Sequence, residues 1–104
     1  MEHVSNSDQR WLGQPVIDEN SKPIGRVIDV LYDDDASATP DWAVVGVGLL
    51  KTGHYMPLDK AYRTADGRLV VPWDQETVKR APRVGRDHVL TPALKQATAS
   101  YYGV

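Results

Sequence analysis

The most apolar segment of this 104-residue chain runs from Trp42 to Leu50 and constrains the fold more than any other. Its odd-numbered positions are Ala43, Val45, Val47 and Leu49, with no polar residue among them. The short length and the valine content favour a strand over a helix, because a β-branched side chain suits a pleated surface. We therefore predict a strand whose odd positions face a core.

Three glycines in the predicted strands indicate how the backbone is arranged there. Gly46 and Gly48 share the other face of this strand, where a strand interior normally avoids glycine. They indicate either a sharp bend, as at the corner of a barrel, or a close approach by another segment. Gly25 lies at the start of the other apolar run, Ile24 to Tyr32, and can adopt backbone angles that other residues cannot. We predict that Gly25 is structural and that Gly25→Val destabilises the fold.

The apolar run from Ile24 to Tyr32 forms the predicted partner strand. Asp29 interrupts this run, so its carboxylate is expected to be exposed or hydrogen-bonded. A β-bulge near Asp29 would let both Val27 and Val30 point inward. The two strands together predict a small closed sheet.

Short strand and turn patterns continue on both sides of this pair. With it they give about six strands at roughly 10-residue spacing, which is typical of an all-β sandwich or barrel. Pro57 places part of its strand at an edge or a bulge, and Asp66-Gly67 indicates a hairpin. The remaining predicted strands are Pro15–Ile17, His54–Leu58, Ala61–Thr64 and Arg68–Val71, and the predicted turns are Asp18–Pro23, a long acidic connection from Asp33 to Asp41, and Lys51–Gly53.

The pattern after Pro72 is helical or irregular. Asp74 is placed to cap one helical turn through Val78, and the segment from Arg83 to Val89 has no period. Thr91-Pro92 is a cap followed by proline at the first helical position. Leu94, Ala97, Thr98 and Tyr101 then fall on one helical stripe, and Gly103 suits the helix end. We predict a C-terminal helix that docks on the sheet, with Tyr101 or Tyr102 as its anchor.

Composition excludes several classes of protein. The chain has no cysteine, which removes disulfides, thiolate metal sites and cysteine nucleophiles. Its net charge of -2 gives no general attraction to nucleic acid or to an anionic membrane. No apolar run approaches the roughly 20 residues that span a bilayer, and the N-terminus lacks the pattern of a secretory signal. We expect a cytoplasmic protein without a membrane span.

Several short pieces resemble one known family in their order and spacing. They are Gly13-Gln-Pro-Val16, Ile24-Gly-Arg-Val-Ile-Asp-Val30 with Asp33, Trp42 to Leu50, Met56-Pro-Leu58, Val70-Val-Pro-Trp-Asp74, and Val78-Lys-Arg-Ala-Pro82 followed by Leu90-Thr91 and Tyr101-Tyr-Gly103. In these pieces the chain resembles the PRC-barrel family. The resemblance implies a six-stranded PRC-type β-barrel over residues 11–80, after a disordered tail at 1–10. A C-terminal extension at 81–104 would contain a helix at about 92–102.

The resemblance also bears on function. The family includes the cytoplasmic domain of the photosynthetic reaction-centre H subunit and the C-terminal domain of a ribosome maturation factor, and both act by binding macromolecules. Neither specific function is expected to carry over. The sequence shows no membrane-anchoring run like that of the H subunit and no counterpart of the maturation factor's additional N-terminal domain.

Two groups of residues are candidate contact sites. Lys79, Arg80, Arg83 and Arg86 form a basic cluster that could bind RNA or an acidic partner, or simply be solvated beside Asp74, Glu76 and Asp87. Trp11, Trp42 and Trp73 belong to the core or to an interface, because Trp is enriched in binding hot spots. Trp42 begins an apolar strand and is predicted to be buried, which leaves Trp11 and Trp73 as the interface candidates.

Candidate chemistry is sparse. The acidic run Asp33-Asp34-Asp35 could hold a hard cation, but Ala36 and Ala38 offer no side-chain oxygen, so we predict a solvated turn. His3, His54 and His88 fit no metal motif, and His54 is expected to lie at the surface or to be hydrogen-bonded. No serine lies in a nucleophile elbow. We assign no catalytic, metal or cofactor residues.

The sequence thus predicts a non-enzymatic protein-interaction or self-association module, with a homodimer as one form. The alternative is a ribosome- or RNA-associated module.

Overall fold

The computed structural model describes residues 11–33, 39–48, 52–84 and 89–104. Its strands are β1 (Pro15–Asp18), β2 (Pro23–Leu31), β3 (Trp42–Val47), β4 (Thr52–Pro57), β5 (Tyr62–Arg63) and β6 (Leu69–Val71), followed by helices α1 (Gln75–Lys79) and α2 (Pro92–Tyr102). The predicted tail at residues 1–10 lies outside the described residues. None of the helices in this part of the chain is long and apolar enough to span a bilayer.

The six strands form one sheet in the order β4-β3-β2-β1-β6-β5. Neighbouring strands are antiparallel except β1 and β6, which are parallel. The predicted mostly-β, six-stranded architecture is therefore confirmed. Within the described ranges, however, no hydrogen-bonded ladder joins β4 to β5, so the sheet is not closed into a barrel by hydrogen bonds.

The core lies on the face of β3 that the sequence predicts. Ala43 and Val45 are fully buried, and Val47 is nearly so. The even-numbered residues of β3 are buried as well, so this strand is covered on both faces. The main core cluster consists of Val16, Ile24, Val27, Val30, Ala43, Val45, Val47, Met56, Leu58, Leu69, Val71, Val78, Ala81 and Tyr102.

The predicted bulge in β2 is confirmed. The register between β2 and β3 shifts between Val27 and Asp29, and Val27 and Val30 are both buried while Ile28 is exposed. The Asp29 carboxylate accepts a hydrogen bond from the Val30 amide at 2.8 Å. The extra residue of the bulge thus explains how a charge interrupts an apolar run without entering the core.

The close approach suggested by the glycines occurs between β2 and β3. A Cβ atom at Gly25 would collide with the carbonyl oxygen of Gly46 and press on Val45. Backbone atoms cannot rotate away as a flexible side chain can, so glycine is required at position 25. Gly48 follows β3 with a φ of 82°, in the left-handed region that favours glycine.

The β3–β4 connection differs from the prediction. Thr52 and Gly53 were expected in a turn, yet they belong to β4 and pair with Val47 and Gly46. The turn prediction was wrong for these two residues because their ladder with β3 outweighs the local preference of glycine for turns. Lys51 lies outside the described residues. Pro57 ends β4 at the edge of the sheet, as predicted.

The segment after α1 covers the outer edge of β4. In its described residues it forms no helix or strand, as predicted for Arg83 to Val89, and residues 85–88 lie outside the described ranges. The Tyr55 amide donates to the Pro82 carbonyl at 3.3 Å, and the Val84 amide donates to the Gly53 carbonyl at 3.0 Å. Arg83 forms an antiparallel bridge with His54. These bonds satisfy backbone groups that an edge strand would otherwise leave unpaired.

The helix ends follow the predicted capping signals. Asp74 accepts a hydrogen bond from the Thr77 amide at the start of α1, and Thr91 accepts one from the Leu94 amide at the start of α2. Gly103 ends α2 in the left-handed conformation, with a φ of 77°. Local chemistry therefore fixes the ends of both helices.

Tyr102 is the residue that anchors α2. It is 7% exposed, and its hydroxyl donates to the Tyr55 carbonyl at 2.8 Å. The predicted stripe was right for Thr98, which is buried, and wrong for Ala97 and Tyr101, which are exposed. Thr98 and Tyr102 are four residues apart and so lie on the same side of the helix.

Candidate interaction surfaces

The first candidate surface lies beside β5, the strand at one edge of the sheet. The Arg63 guanidinium carbon lies 4.5 Å from the centroid of the Trp11 ring, which is a cation–π distance. Tyr62, the other residue of β5, is 59% exposed, and Leu12 is 44% exposed. We call these four residues the β5 surface; Tyr62 and Arg63 are consecutive strand residues, so their side chains lie on opposite faces of this edge. The sequence predicted Trp11 but missed Arg63 and Tyr62, because no local pattern links residues so far apart in the chain.

All three tryptophans are engaged within the fold, since Trp11 is also half-buried and packs against the core. Trp73 is half-buried, packs against the core and makes an edge-to-face contact with Tyr102 at a centroid distance of 4.7 Å. Trp42 is buried, as predicted, and its indole N–H donates to an Asp33 carboxylate oxygen at 3.2 Å. The contacts of the described residues do not bring Trp73 together with Trp11.

The basic cluster lies at the end of α1 and in the segment that follows. Lys79, Arg80 and Arg83 are exposed, whereas Arg86 lies outside the described residues. The Arg80 Nε atom is 2.9 Å from a Glu76 carboxylate oxygen, one helical turn earlier. Glu76 therefore offsets part of the positive charge, as the sequence suggested, and this exposed pair adds little stability.

The second candidate surface is a cleft of about 420 Å³ that the sequence did not predict. We call it the Trp42 cleft. Its apolar lining comprises Pro40, Trp42, Pro57, Leu58 and Val104, and its acidic residues are Asp33, Asp41 and Asp59. These residues come from the end of β2, the start of β3, the end of β4 and the residue after the α2 cap. Such a site arises only from the fold, so no sequence motif marks it.

Hydrogen bonds hold the acidic residues of the cleft in place. Asp41 accepts a hydrogen bond from the Asp33 amide at 2.7 Å. The Lys95 ammonium of α2 lies 2.6 Å from the same Asp33 oxygen that Trp42 contacts. A second cleft of about 270 Å³ shares Asp33 and Trp42 with the first and is bordered by Lys95 and Val89. The Asp33–Lys95 pair therefore stands between two adjoining clefts.

Histidine and carboxylate positions bear on metal binding. His54 is 4% exposed, and its Nδ1 lies 3.0 Å from the Ala81 carbonyl oxygen, so its predicted hydrogen-bonded role is confirmed. Across the ranges the structure describes, no three His, Asp or Glu side chains come together as metal ligands do. His3, His88, Asp34 and Asp35 lie outside those ranges, so the predicted solvated turn at 33–35 is untested beyond Asp33.

Among the residues that the structure describes, three groups have clearly shifted pKa values, and each shift has a local cause. A hydrogen bond from Thr64, with help from Arg68, lowers the pKa of Asp66, although burial opposes it slightly. Hydrogen bonds from Thr77 lower the pKa of Asp74 in the same way. Burial raises the pKa of Tyr102, and Tyr101 adds to this effect. All three groups belong to turns, caps or the helix anchor.

Comparisons with known proteins give a family and similar solved structures. The model of the PRC-barrel domain matches residues 4–97. A solved structure from Pseudomonas aeruginosa, named as the 16S ribosomal RNA processing protein RimM, is similar with a TM-score of 0.50 and 23% identity. The match covers 72% of this chain and 48% of that one, so the chain spans about half the length of that relative. No curated protein matches.

Proposed function

The chain belongs to the PRC-barrel domain family, and from this premise we propose that it is a non-catalytic module that binds a protein partner or a second copy of itself. The observation that carries the proposal is the β5 surface. Trp, Tyr and Arg are the residue types that dominate binding hot spots. Here one of each lies at the outermost strand of the sheet, and Tyr62 is mostly exposed.

The geometry of β5 supports an intermolecular role. β5 has only two residues, and within the described part of the chain no strand pairs with its outer side. The Arg63 side chain lies over the Trp11 ring, so its cation is restrained before a partner binds. A partner that binds at this edge could cover Tyr62 and Leu12 without unfolding any part of the sheet.

Self-association is the simplest form of this proposal. Two copies could meet through the β5 surface about a two-fold axis, since homodimers commonly use the same patch on both subunits. Leu12 and Tyr62 would then be buried together with their symmetry mates. A homodimer of a cytoplasmic protein is therefore the state that we propose to test first.

Sedimentation equilibrium at micromolar concentration, with a pull-down from native extract, tests the proposal. We expect either a dimer or a specific captured partner, and loss of that complex in the variant Tyr62→Glu/Arg63→Glu. The control Glu19→Gln changes an exposed residue in the turn between β1 and β2. A monomer that captures no partner, or a complex that the double variant retains, would contradict a role for the β5 surface.

A second candidate function is binding to RNA or the ribosome. It is favoured by the exposed Lys79, Arg80 and Arg83 and by likeness to a protein named for 16S ribosomal RNA processing. The RNA interpretation predicts salt-dependent binding that is lost when Lys79, Arg80, Arg83 and Arg86 are replaced by glutamine. A filter-binding titration at low salt with ribosomal RNA tests it, and failure to bind there would end it. We rank it second because the chain is acidic overall.

A further inference from the structure

We propose that the Trp42 cleft binds a basic peptide segment that carries an apolar anchor residue. The inference rests on the proposed interaction function, and it assigns a second surface and a partner chemistry that the β5 surface does not provide. The cleft lies at the end of the chain's sheet where β2, β3, β4 and α2 meet, and it consists of an apolar floor with a carboxylate rim.

The shape of the cleft suits an inserted side chain. Its volume of about 420 Å³ falls in the range of about 300–1,000 Å³ that is typical of binding pockets. Pro57, Leu58 and Trp42 are buried and provide a rigid apolar floor. Val104 borders the cleft and is 44% exposed, so it offers apolar area that an incoming side chain would cover. A Leu or Met side chain is the kind of anchor that such a floor accepts.

The charge of the rim determines the class of peptide. Three carboxylates border the cleft, whereas the ammonium of Lys95 reaches only Asp33. Among the described residues, no ion pair neutralises Asp41 or Asp59. A peptide with lysine or arginine beside its anchor would complement this rim, and an acidic peptide would be repelled. The cleft therefore has two net negative charges beside its apolar residues, and we expect its occupant to be a basic peptide.

The rim is also organised before any partner arrives. Asp33 is held by both Trp42 and Lys95, and its amide in turn holds the Asp41 carboxylate. Side chains that are already fixed lose little conformational freedom on binding, which favours affinity. This arrangement distinguishes Asp33 and Asp41 from mobile surface carboxylates.

The second cleft, which adjoins the Trp42 cleft, could bind the neighbouring residues of the same peptide. It is lined by Lys95 and by Val89, which is 52% exposed. A peptide long enough to pass the Asp33–Lys95 pair would place its next residues there. Because Lys95 and Asp33 neutralise each other and the rest of this lining is mostly apolar, we expect those residues to be apolar.

Selection from a displayed library of random peptides, with the full chain as bait, tests the proposal. We expect the selected peptides to carry Lys or Arg beside one apolar residue. Their affinity should fall about tenfold for Asp41→Asn/Asp59→Asn, and it should fall as salt increases. Asparagine keeps the oxygen that accepts the Asp33 amide, so this variant should fold. The matched control Glu19→Gln/Asp66→Asn removes two carboxylates elsewhere and should bind like the wild type.

A second variant tests the apolar wall separately. Val104→Lys places a cation at an exposed position of the cleft and should weaken the selected peptides without lowering the melting temperature. An acidic consensus, or peptides that bind both cleft variants as tightly as the wild type, would overturn the assignment of the cleft. An empty selection would overturn it too. The β5 surface is tested by sedimentation and pull-down, so the proposed function could stand while the cleft assignment failed.

Discussion

The two edge strands of the sheet are protected in different ways. β4 has six residues, its outer backbone groups bond to residues 82–84, and α2 packs against it. β5 has two residues, and its protection is its shortness together with the Arg63–Trp11 contact. Natural proteins use both devices, since a long uncovered edge invites pairing with other chains.

This difference suggests a division of roles within one small sheet. The covered edge holds buried groups such as Tyr55 and Tyr102 and so contributes to stability. The short edge leaves Tyr62 and Leu12 exposed and contributes little to the core. If this division is right, substitutions near β4 should change the free energy of unfolding. Substitutions on β5 should instead change binding.

The largest expected loss of stability is at Gly25 in β2, which lies between the two edge strands. The losses expected at the edges are compared with it. Gly25→Val places a side chain against the Gly46 carbonyl in the middle of the sheet, where neither backbone can move easily. We expect a loss of at least about 4 kcal/mol in the free energy of unfolding, enough to unfold many domains of this size. Urea denaturation followed by circular dichroism measures it. The control Ile28→Val lies on the same strand at an exposed position and should cost under about 0.5 kcal/mol.

The next effect tests the covered edge. Tyr102→Ala removes a buried ring from the core and from the Trp73 contact, so we expect a loss of about 3–4 kcal/mol. Tyr102→Phe keeps the ring and removes only the hydrogen bond to the Tyr55 carbonyl, which should cost about 1–2 kcal/mol. Thermal melts of both variants check the order. Equal stability of Tyr102→Ala and wild type would show that α2 does not hold this edge.

Alkaline pH examines the same anchor in another way. Burial raises the pKa of Tyr102 above its usual value of 10.0, because the neutral phenol is favoured in the folded chain. The resulting stabilisation is complete below pH 10.0 and is lost as the pH rises above it. Wild type should therefore lose more stability than Tyr102→Phe above that pH, as measured by urea midpoints.

A smaller effect is expected at the short edge. Arg63→Ala removes the cation–π contact with Trp11 and should cost about 0.5–1 kcal/mol, or roughly 2–8 °C in melting temperature. Arg63→Lys retains the charge and should cost less. The same two variants should weaken the complex found in sedimentation or pull-down experiments by more than their effect on stability implies. A larger loss of stability than Tyr102→Ala causes would reverse the proposed roles of the two edges.

Sequence patterns predicted features whose causes are local. Asp29 inside an apolar run indicated the bulge, and Asp74 and Thr91 marked helix starts, because each signal acts within a few residues. Gly53 misled the prediction, since its place in β4 is decided by pairing with Gly46. The choice between Tyr101 and Tyr102 depended on how α2 sits on the sheet, which no periodicity shows.

Both candidate surfaces were mostly invisible in the sequence for a related reason. Trp11 and Arg63 meet only because the start of the described chain lies against β5. The Trp42 cleft needs the ends of β2 and β4 and the residue after the α2 cap to come together. Tryptophan count and charge runs pointed to Trp11 and to the basic cluster, but neither reveals which distant residues become neighbours.

The smallest expected effect compares two acidic turns, one beside each edge. Asp74 begins α1, which contacts β4, and Asp66 lies in the loop that joins β5 to β6. Hydrogen bonds lower both pKa values below the usual 3.8, so each carboxylate stabilises the fold above that pH. This contribution is lost as the pH falls from 3.8 through the lowered values.

Asp74→Asn and Asp66→Asn should therefore be less stable than wild type near neutral pH and should converge with it in acid. Urea midpoints measured across this range check the sign, with Glu19→Gln controlling for the loss of one surface charge. Curves that stay parallel down to the lowest pH would show that neither hydrogen-bonded carboxylate favours the folded chain.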